Sequence, residues 1–133
     1  MDTIANMLIQ IKNAGRAKKK ETEVKFSKIN LAILNNLKNQ GYINNFKTKE
    51  NNHQKYPSKI IVNLKYKNQD EPYLSEIIRV SSPGRRIYTK SSKLPKLSRG
   101  GQSEFFISTS EGIMTGKEAH KKGLGGEVIC EVK

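Results

Sequence analysis

Apolar residues in this chain never run together for more than a few positions, and they recur at two different spacings. That pattern restricts the fold more than any other feature. Each element can bury only one face, so helices and small sheets must cover one another to make a core. Ile4, Met7, Leu8 and Ile11 follow the helical period, with Asp2 or Thr3 placed to cap the start and an end expected near Asn13 to Gly15. Arg16 to Lys20 reads as a solvated basic run. Val24 and Phe26 alternate with Glu23 and Lys25 in a short strand. Ser27 caps a second helix that turns Ile29, Ile33, Leu34 and Leu37 inward and ends at Gly41. Tyr42 to Lys47, and the alternation Ile60, Val62, Leu64, Tyr66, predict two strands joined by a polar turn from Glu50 to Pro57. This helix–strand–helix–strand–strand order predicts an α+β domain over residues 1–66.

Lys67 to Pro72 is a polar, strand-breaking linker, and the second half, residues 67–133, reads as mainly β. Ile77, Ile78 and Val80 predict a strand, Ser82-Pro83-Gly84 a turn, and Arg86-Ile87-Tyr88 the returning segment. A helical turn is expected over Leu94 to Leu97, then a flexible Arg99-Gly100-Gly101. Glu104 to Thr109 predicts a strand. Thr115 with Glu118 forms a capping box for a short helix closed by Gly123. Glu127 to Val132 predicts a last strand with Val128, Cys130 and Val132 on one inward face. The fold class expected for the whole chain is α+β.

Twenty-five Lys and Arg against twelve Asp and Glu give a net charge of +13, and the sequence pI is about 9.9. Such an excess opposes compaction unless a polyanion neutralises it, and nucleic acid gains further because each neutralised phosphate releases a counterion. A single cysteine, Cys130, excludes an internal disulfide and a cysteine-cluster zinc site, and His53 and His120 stand at no metal-binding spacing. No apolar run approaches the roughly 20 residues that span a bilayer, and Met1-Asp2-Thr3 does not open a secretory signal. No cofactor, metal, small-molecule substrate or membrane partner is expected. No nucleophile, base and orienting group stand at a recognisable spacing, which argues against an enzyme built on Ser110 and His120 or on Cys130. No helix carries Arg, Asn or Gln at groove-reading spacing, which argues against DNA.

The densest constellation is Ser108 to Val132. Three hydroxyl residues, Ser108, Thr109 and Ser110, end a strand, and hydroxyls both donate and accept, so a rigid loop of them can read base edges or ribose hydroxyls. Gly125-Gly126 lets a second backbone stretch approach closely. Taken singly, each half is ordinary turn chemistry. Tyr88 either packs its ring in the β core with only its hydroxyl exposed or presents itself outward, and the residues alone leave these readings equal. Glu127 either accepts from a base amino group or braces the adjacent loop by accepting its backbone N–H groups; the second is favoured. Cys130 reads as a small buried residue.

Ser108-Thr109-Ser110, Gly112-Ile113-Met114-Thr115, Glu118-Ala119 and Gly123 through Cys130, with Ser81 through Tyr88 and the opening Asp2-Thr3-Ile4-Ala5, resemble the small-subunit ribosomal protein number eight family, in its bacterial and organellar form. The resemblance runs the length of the chain. It implies a two-domain, non-catalytic protein, monomeric within the ribosome, that binds the central domain of small-subunit ribosomal RNA early in assembly and meets neighbouring small-subunit proteins. It also implies the RNA-contacting residues: Arg86, Tyr88, Ser108, Thr109, Ser110, Gly125, Gly126 and Glu127, with Thr3, Lys12 and Asn13 on the first helix. An alternative it carries is a repressor that binds a mimic of the ribosomal site in its own messenger RNA. Only five residues are Arg while Lys and Asn abound. With Thr3 in place of the family's usual Pro, this points to a plastid ribosome, the alternative being an AT-rich bacterium. Gly116 stands where an acidic residue is usual, which weakens the favourable dipole interaction at that helix start. Ser103-Glu104 interrupts a stretch usually small and apolar, so the strand that follows is expected to be shifted or more exposed.

Overall fold

A computed structural model describes residues 2–49, 58–69, 71–94 and 103–133. The chain divides into two units, one over Thr3–Ser75 and the other over Glu76–Lys133 with Met1–Asp2. The expected polar turn at Glu50 to Pro57 and the expected features from Pro95 to Gly101 lie outside the described residues.

In the first unit, α1 (Thr3–Arg16) buries Ile4, Met7, Leu8, Ile11 and Ala14. It runs past the expected end. Gly15 is not its terminator but a packing residue, since a Cβ there would come within 3.4 Å of the Pro72 ring. The helix closes on Lys18, at φ +59°, whose N–H reaches the Gly15 carbonyl while that of Lys19 reaches Ala14. Tyr66 holds the Lys19 carbonyl through its hydroxyl. The next strand, β1, spans Glu21–Lys25, starting before the expected position and leaving Phe26 outside. Ser27 caps α2 (Lys28–Asn39) by accepting from the Asn30 N–H at 3.0 Å. The inward face begins at Asn30, not Ile29: Asn30 is fully buried and its amide donates to the Lys25 carbonyl at 3.0 Å. Gly41, at φ +83°, ends the helix as expected.

β2 (Ile43–Lys49) and β1 flank β3 (Lys59–Leu64) in an antiparallel sheet ordered β1-β3-β2. Val24, Ile60, Val62 and Leu64 are buried and complete the core with the two helices. Residues beyond β3 fold back on it: the Lys67 N–H donates to Glu71 O at 2.8 Å and that of Tyr73 to Lys65 O at 2.9 Å.

The second unit is an antiparallel sheet of β4 (Ile77–Arg79), β5 (Tyr88–Thr89), β6 (Glu104–Thr109), β7 (Gly112–Thr115) and β8 (Gly126–Val132). Its order is β4-β8-β6-β7, with β5 also on β8. A 3-10 turn covers Ser91–Lys93. A short helix, α3 (Gly116–Lys121), forms despite Gly116, with the Glu118 N–H donating to Thr115 Oγ1 at 3.2 Å and Gly123 closing it at φ +70°. β6 starts at Glu104 and is neither shifted nor laid open: Ser103 is buried and Glu104 half-buried opposite Val132.

One expectation for β8 fails. Phe106 pairs with Cys130 but Ile107 pairs with Val128, so Ile129 is an extra residue in the strand. Because Phe106 and Ile107 point to opposite faces, Val128 is separated from Cys130 and Val132. Val128 joins Leu94, Ile107, Met114 and Ala119 in one cluster, while Cys130 and Val132 are buried on the other face. The bulge carbonyl, Ile129 O, accepts from Arg79 Nη1 at 2.6 Å and from the Val80 N–H at 3.1 Å. Arg79 is also paired to Asp2 at 3.1 Å.

Candidate nucleic-acid interface

Strand pairing brings three of the implied site residues into one line. Tyr88 lies opposite Glu127, and Glu127 opposite Ser108, which in turn faces Ile113 on β7. Directly opposed residues of antiparallel strands project from the same face. Tyr88, Glu127 and Ser108 therefore form a transverse row across three strands. Arg86, two residues before Tyr88, reaches the same row: its Nη1 donates to Glu127 Oε2 at 3.0 Å. This hydrogen bond, and the carboxylate charge behind it, hold the Arg86 guanidinium above its ordinary pKa.

Of the two open readings, the structure decides that of Tyr88, which is 69% exposed and does not pack in the core. Glu127 accepts from Arg86 and not from the loop N–H groups that the favoured reading gave it.

The Ser-Thr-Ser turn has a rigid centre. Thr109 Oγ1 donates to Gly112 O at 2.8 Å and accepts from the Glu111 N–H at 3.1 Å. Its hydroxyl thus ties the β6–β7 turn together, and Gly112 takes φ +111°. Ser110 at the tip is exposed and Ser108 half-buried.

Gly125 and Gly126 bring protein strands together. A Cβ on Gly126 would fall 2.0 Å from Ser108 O, and one on Gly125 would fall 2.5 Å from Thr89 O. Real Cβ atoms do not occupy such positions, so only glycine lets β8 pass between these neighbours.

Two further residues position the row, and sequence reasoning gave neither a role. Buried Ser81 accepts from the Ile87 N–H at 2.9 Å and donates to Ile87 O at 3.2 Å, fixing the segment that carries Arg86 and Tyr88. His120 Nδ1 lies 2.7 Å from Ser91 O, and since a carbonyl can only accept, this nitrogen carries the proton. That bond ties α3 to the turn beside Gly125. A small hydroxyl residue before a Pro-Gly turn was the one available signal for Ser81.

Thr3, Lys12 and Asn13 belong to α1, in the other unit. Nine residues separate Thr3 from Lys12, about two and a half helical turns, so they stand on opposite sides of α1 and do not form one patch. Asn13 is exposed, and Thr3 and Lys12 are half-buried.

Cys130 is buried, and burial pushes its thiol up to about 12. Among the described residues no cluster of His, Cys, Asp and Glu could hold a metal ion, and no helix is long and apolar enough to cross a membrane.

Comparison with known proteins gives a consistent result. A family model described as ribosomal protein S8 matches residues 2–132. The small ribosomal subunit protein uS8 of Solibacter usitatus (strain Ellin6076) is 41% identical over 131 residues, covering 98% of this chain and 97% of the relative. Protein uS8c of Cyanophora paradoxa is 43% identical over 132 residues, covering 98% and 97%. Protein uS8 of Geotalea uraniireducens (strain Rf4) is 40% identical over 131 residues, covering 98% and 96%.

Proposed function

The chain belongs to the ribosomal protein S8 family, and on that premise we propose that it fastens the central domain of small-subunit ribosomal RNA during assembly. It is a structural protein of the small ribosomal subunit and not an enzyme. The observation that carries the RNA reading is the row Tyr88–Glu127–Ser108, with Arg86 locked to its middle member. The major groove of regular duplex RNA is too narrow for side chains, so specific recognition needs an irregular helix with bases or minor groove presented. An exposed tyrosine ring offers such a surface a stacking face. The hydroxyls of Ser108 and Ser110 offer donors and acceptors without a large charge. The chain's excess of lysine supplies attraction to phosphate.

Asn13 on α1 contributes a separate, smaller contact, with Lys12 acting at phosphates. The lysine- and asparagine-rich composition, Thr3 and the similarity to uS8c of Cyanophora paradoxa support a plastid ribosome as the site of action. Relatives from bacteria match about as well, so a bacterial cytoplasmic ribosome is the alternative.

Filter binding with Ser108→Ala/Ser110→Ala tests the reading. Affinity for a transcript of the central-domain site should fall while the salt slope stays nearly constant, because no phosphate contact is removed. Equal losses on matched and scrambled RNA would reject it.

A further inference from the structure

The register of the three-stranded sheet sets three lysines directly side by side. Lys25 pairs with Lys59, and Lys59 pairs with Lys49, so one transverse row consists entirely of lysine. Adjacent strands are about 4.8 Å apart, and like charges directly opposite one another are destabilising. The same face carries Lys47 in the next row, beside Ile61 and Glu23, and Glu21 one row further on. Every charged residue of this face is exposed, and it is the opposite face that buries Val24, Ile60 and Val62. Glu23 pairs with Lys49 at 3.1 Å. Among the described residues, no carboxylate pairs with Lys25, Lys47 or Lys59.

We propose that this face of the β1-β3-β2 sheet is a further RNA-binding surface, which takes phosphodiester backbone without reading sequence. It rests on the partner being the ribosomal RNA proposed above, and it adds to the α1 contact in the unit that does not contain the Tyr88–Glu127–Ser108 row. The lysine row has no structural benefit in the free protein, where it opposes pairing of the strands. Glu23 offsets it at Lys49 alone, and an anion lying along the row would offset the rest. A polyphosphate backbone fits for two reasons: the cations are spread across the sheet rather than gathered around one point, and lysine acts on phosphate as a point charge without demanding planar geometry. The described residues of this face carry no hydroxyl or aromatic group, and the amides of Asn45 and Asn63 lie two rows away from Lys25, Lys59 and Lys49.

The test uses the full chain with Lys25→Gln/Lys59→Gln, and Lys38→Gln/Lys67→Gln as a control of equal net charge. Two RNAs are titrated: a transcript of the whole central domain and a scrambled transcript of the same length. The lysine-row variant should lose about tenfold in affinity on both RNAs near 0.1 M salt and lower the salt slope by about 2. Its free-form urea midpoint should rise, since repulsion across the sheet is removed. Affinities and slopes matching the control would overturn the proposal. So would a lowered midpoint, or a loss confined to binding of an acidic neighbouring protein. The two surfaces fail separately, because Ser108→Ala/Ser110→Ala is read in the ratio of matched to scrambled affinity and the lysine row in the slope.

Discussion

Gly126 meets Ser108 backbone to backbone, so closely that a methyl group on Gly126 would sit 2.0 Å from the Ser108 carbonyl oxygen. Gly126→Ala therefore forces β8 away from β6 at the row that carries Glu127 and Ser108. The expected cost is about 2–3 kcal/mol, read as a lowered urea midpoint, with loss of specific RNA affinity in whatever remains folded. Gly125→Ala should behave alike through Thr89. A wild-type midpoint for Gly126→Ala would mean that the two strands separate freely.

Arg86 and Glu127 form one unit in the row, 3.0 Å apart. Removing the carboxylate by Glu127→Ala leaves Arg86 charged but no longer aimed. Affinity for matched RNA should fall about tenfold, the scale of a charge-assisted hydrogen bond. Affinity for scrambled RNA should hold or rise, because a negative charge has left the surface. Glu127→Gln keeps an acceptor and should retain most of the discrimination. Parallel losses on both RNAs with Glu127→Ala would show that the carboxylate does not orient Arg86.

Much of this site was legible as residues but not as geometry. The hydroxyl turn and the paired glycines stand out in the sequence because each type has restricted uses, whereas the exposure of Tyr88 appears only in the fold. Their convergence depends on which distant strands pair, with Tyr88, Ser108 and Glu127 in one row, and no single stretch of sequence names its partner. The Ile129 bulge shows the same limit: alternation put Val128 and Cys130 together, and one inserted residue separated them. Asn30 was missed as core because a polar side chain can be buried once its amide reaches a carbonyl, here that of Lys25. Gly15 misled for the opposite reason, since glycine serves close packing as well as helix ends.

The true end of α1 leads to a stability prediction. Lys18 holds φ +59°, a left-handed conformation that costs a residue with a Cβ roughly 1 kcal/mol. Lys18→Gly should recover most of that, about 0.5–1 kcal/mol after the greater entropy of glycine in the unfolded chain. Thermal unfolding would register a rise of a few degrees. An unchanged or lower midpoint would mean that contacts of the Lys18 side chain outweigh the backbone term.

Glu104 gives a pH dependence of defined sign. Burial raises its pKa above the usual glutamate value, opposed by Lys117 and by a hydrogen bond with Thr115. A carboxyl raised on folding favours the native state fully below its unfolded pKa, and that contribution is lost as pH rises through the folded value. Glu104→Gln keeps the shape and removes the titration. The variant should thus be the more stable protein at neutral pH, and the difference should shrink as pH falls through the glutamate range. A difference independent of pH from 4 to 7 would exclude burial of the charge as its cause.

Cys130 makes the complementary case at alkaline pH. It lies in β8, between Arg79 on β4 and Phe106 on β6, and is fully buried. A thiol reagent therefore reaches it only once β8 parts from β4 and β6. Labelling in the native protein should be slower than that of a free thiol by more than about 10³-fold, the lower end of ordinary unfolding equilibria. Burial pushes the thiol up to about 12, so its contribution to stability is intact below an unfolded thiol's pKa near 9 and is lost as pH climbs from there. Cys130→Ala should be less stable at neutral pH through the cavity it leaves. Its midpoint should also fall less steeply than that of the parent protein between pH 9 and 11. Rapid labelling at neutral pH would overturn this account, because it would require a thiol that is accessible and ionised, the one state in which Cys130 could act as a nucleophile.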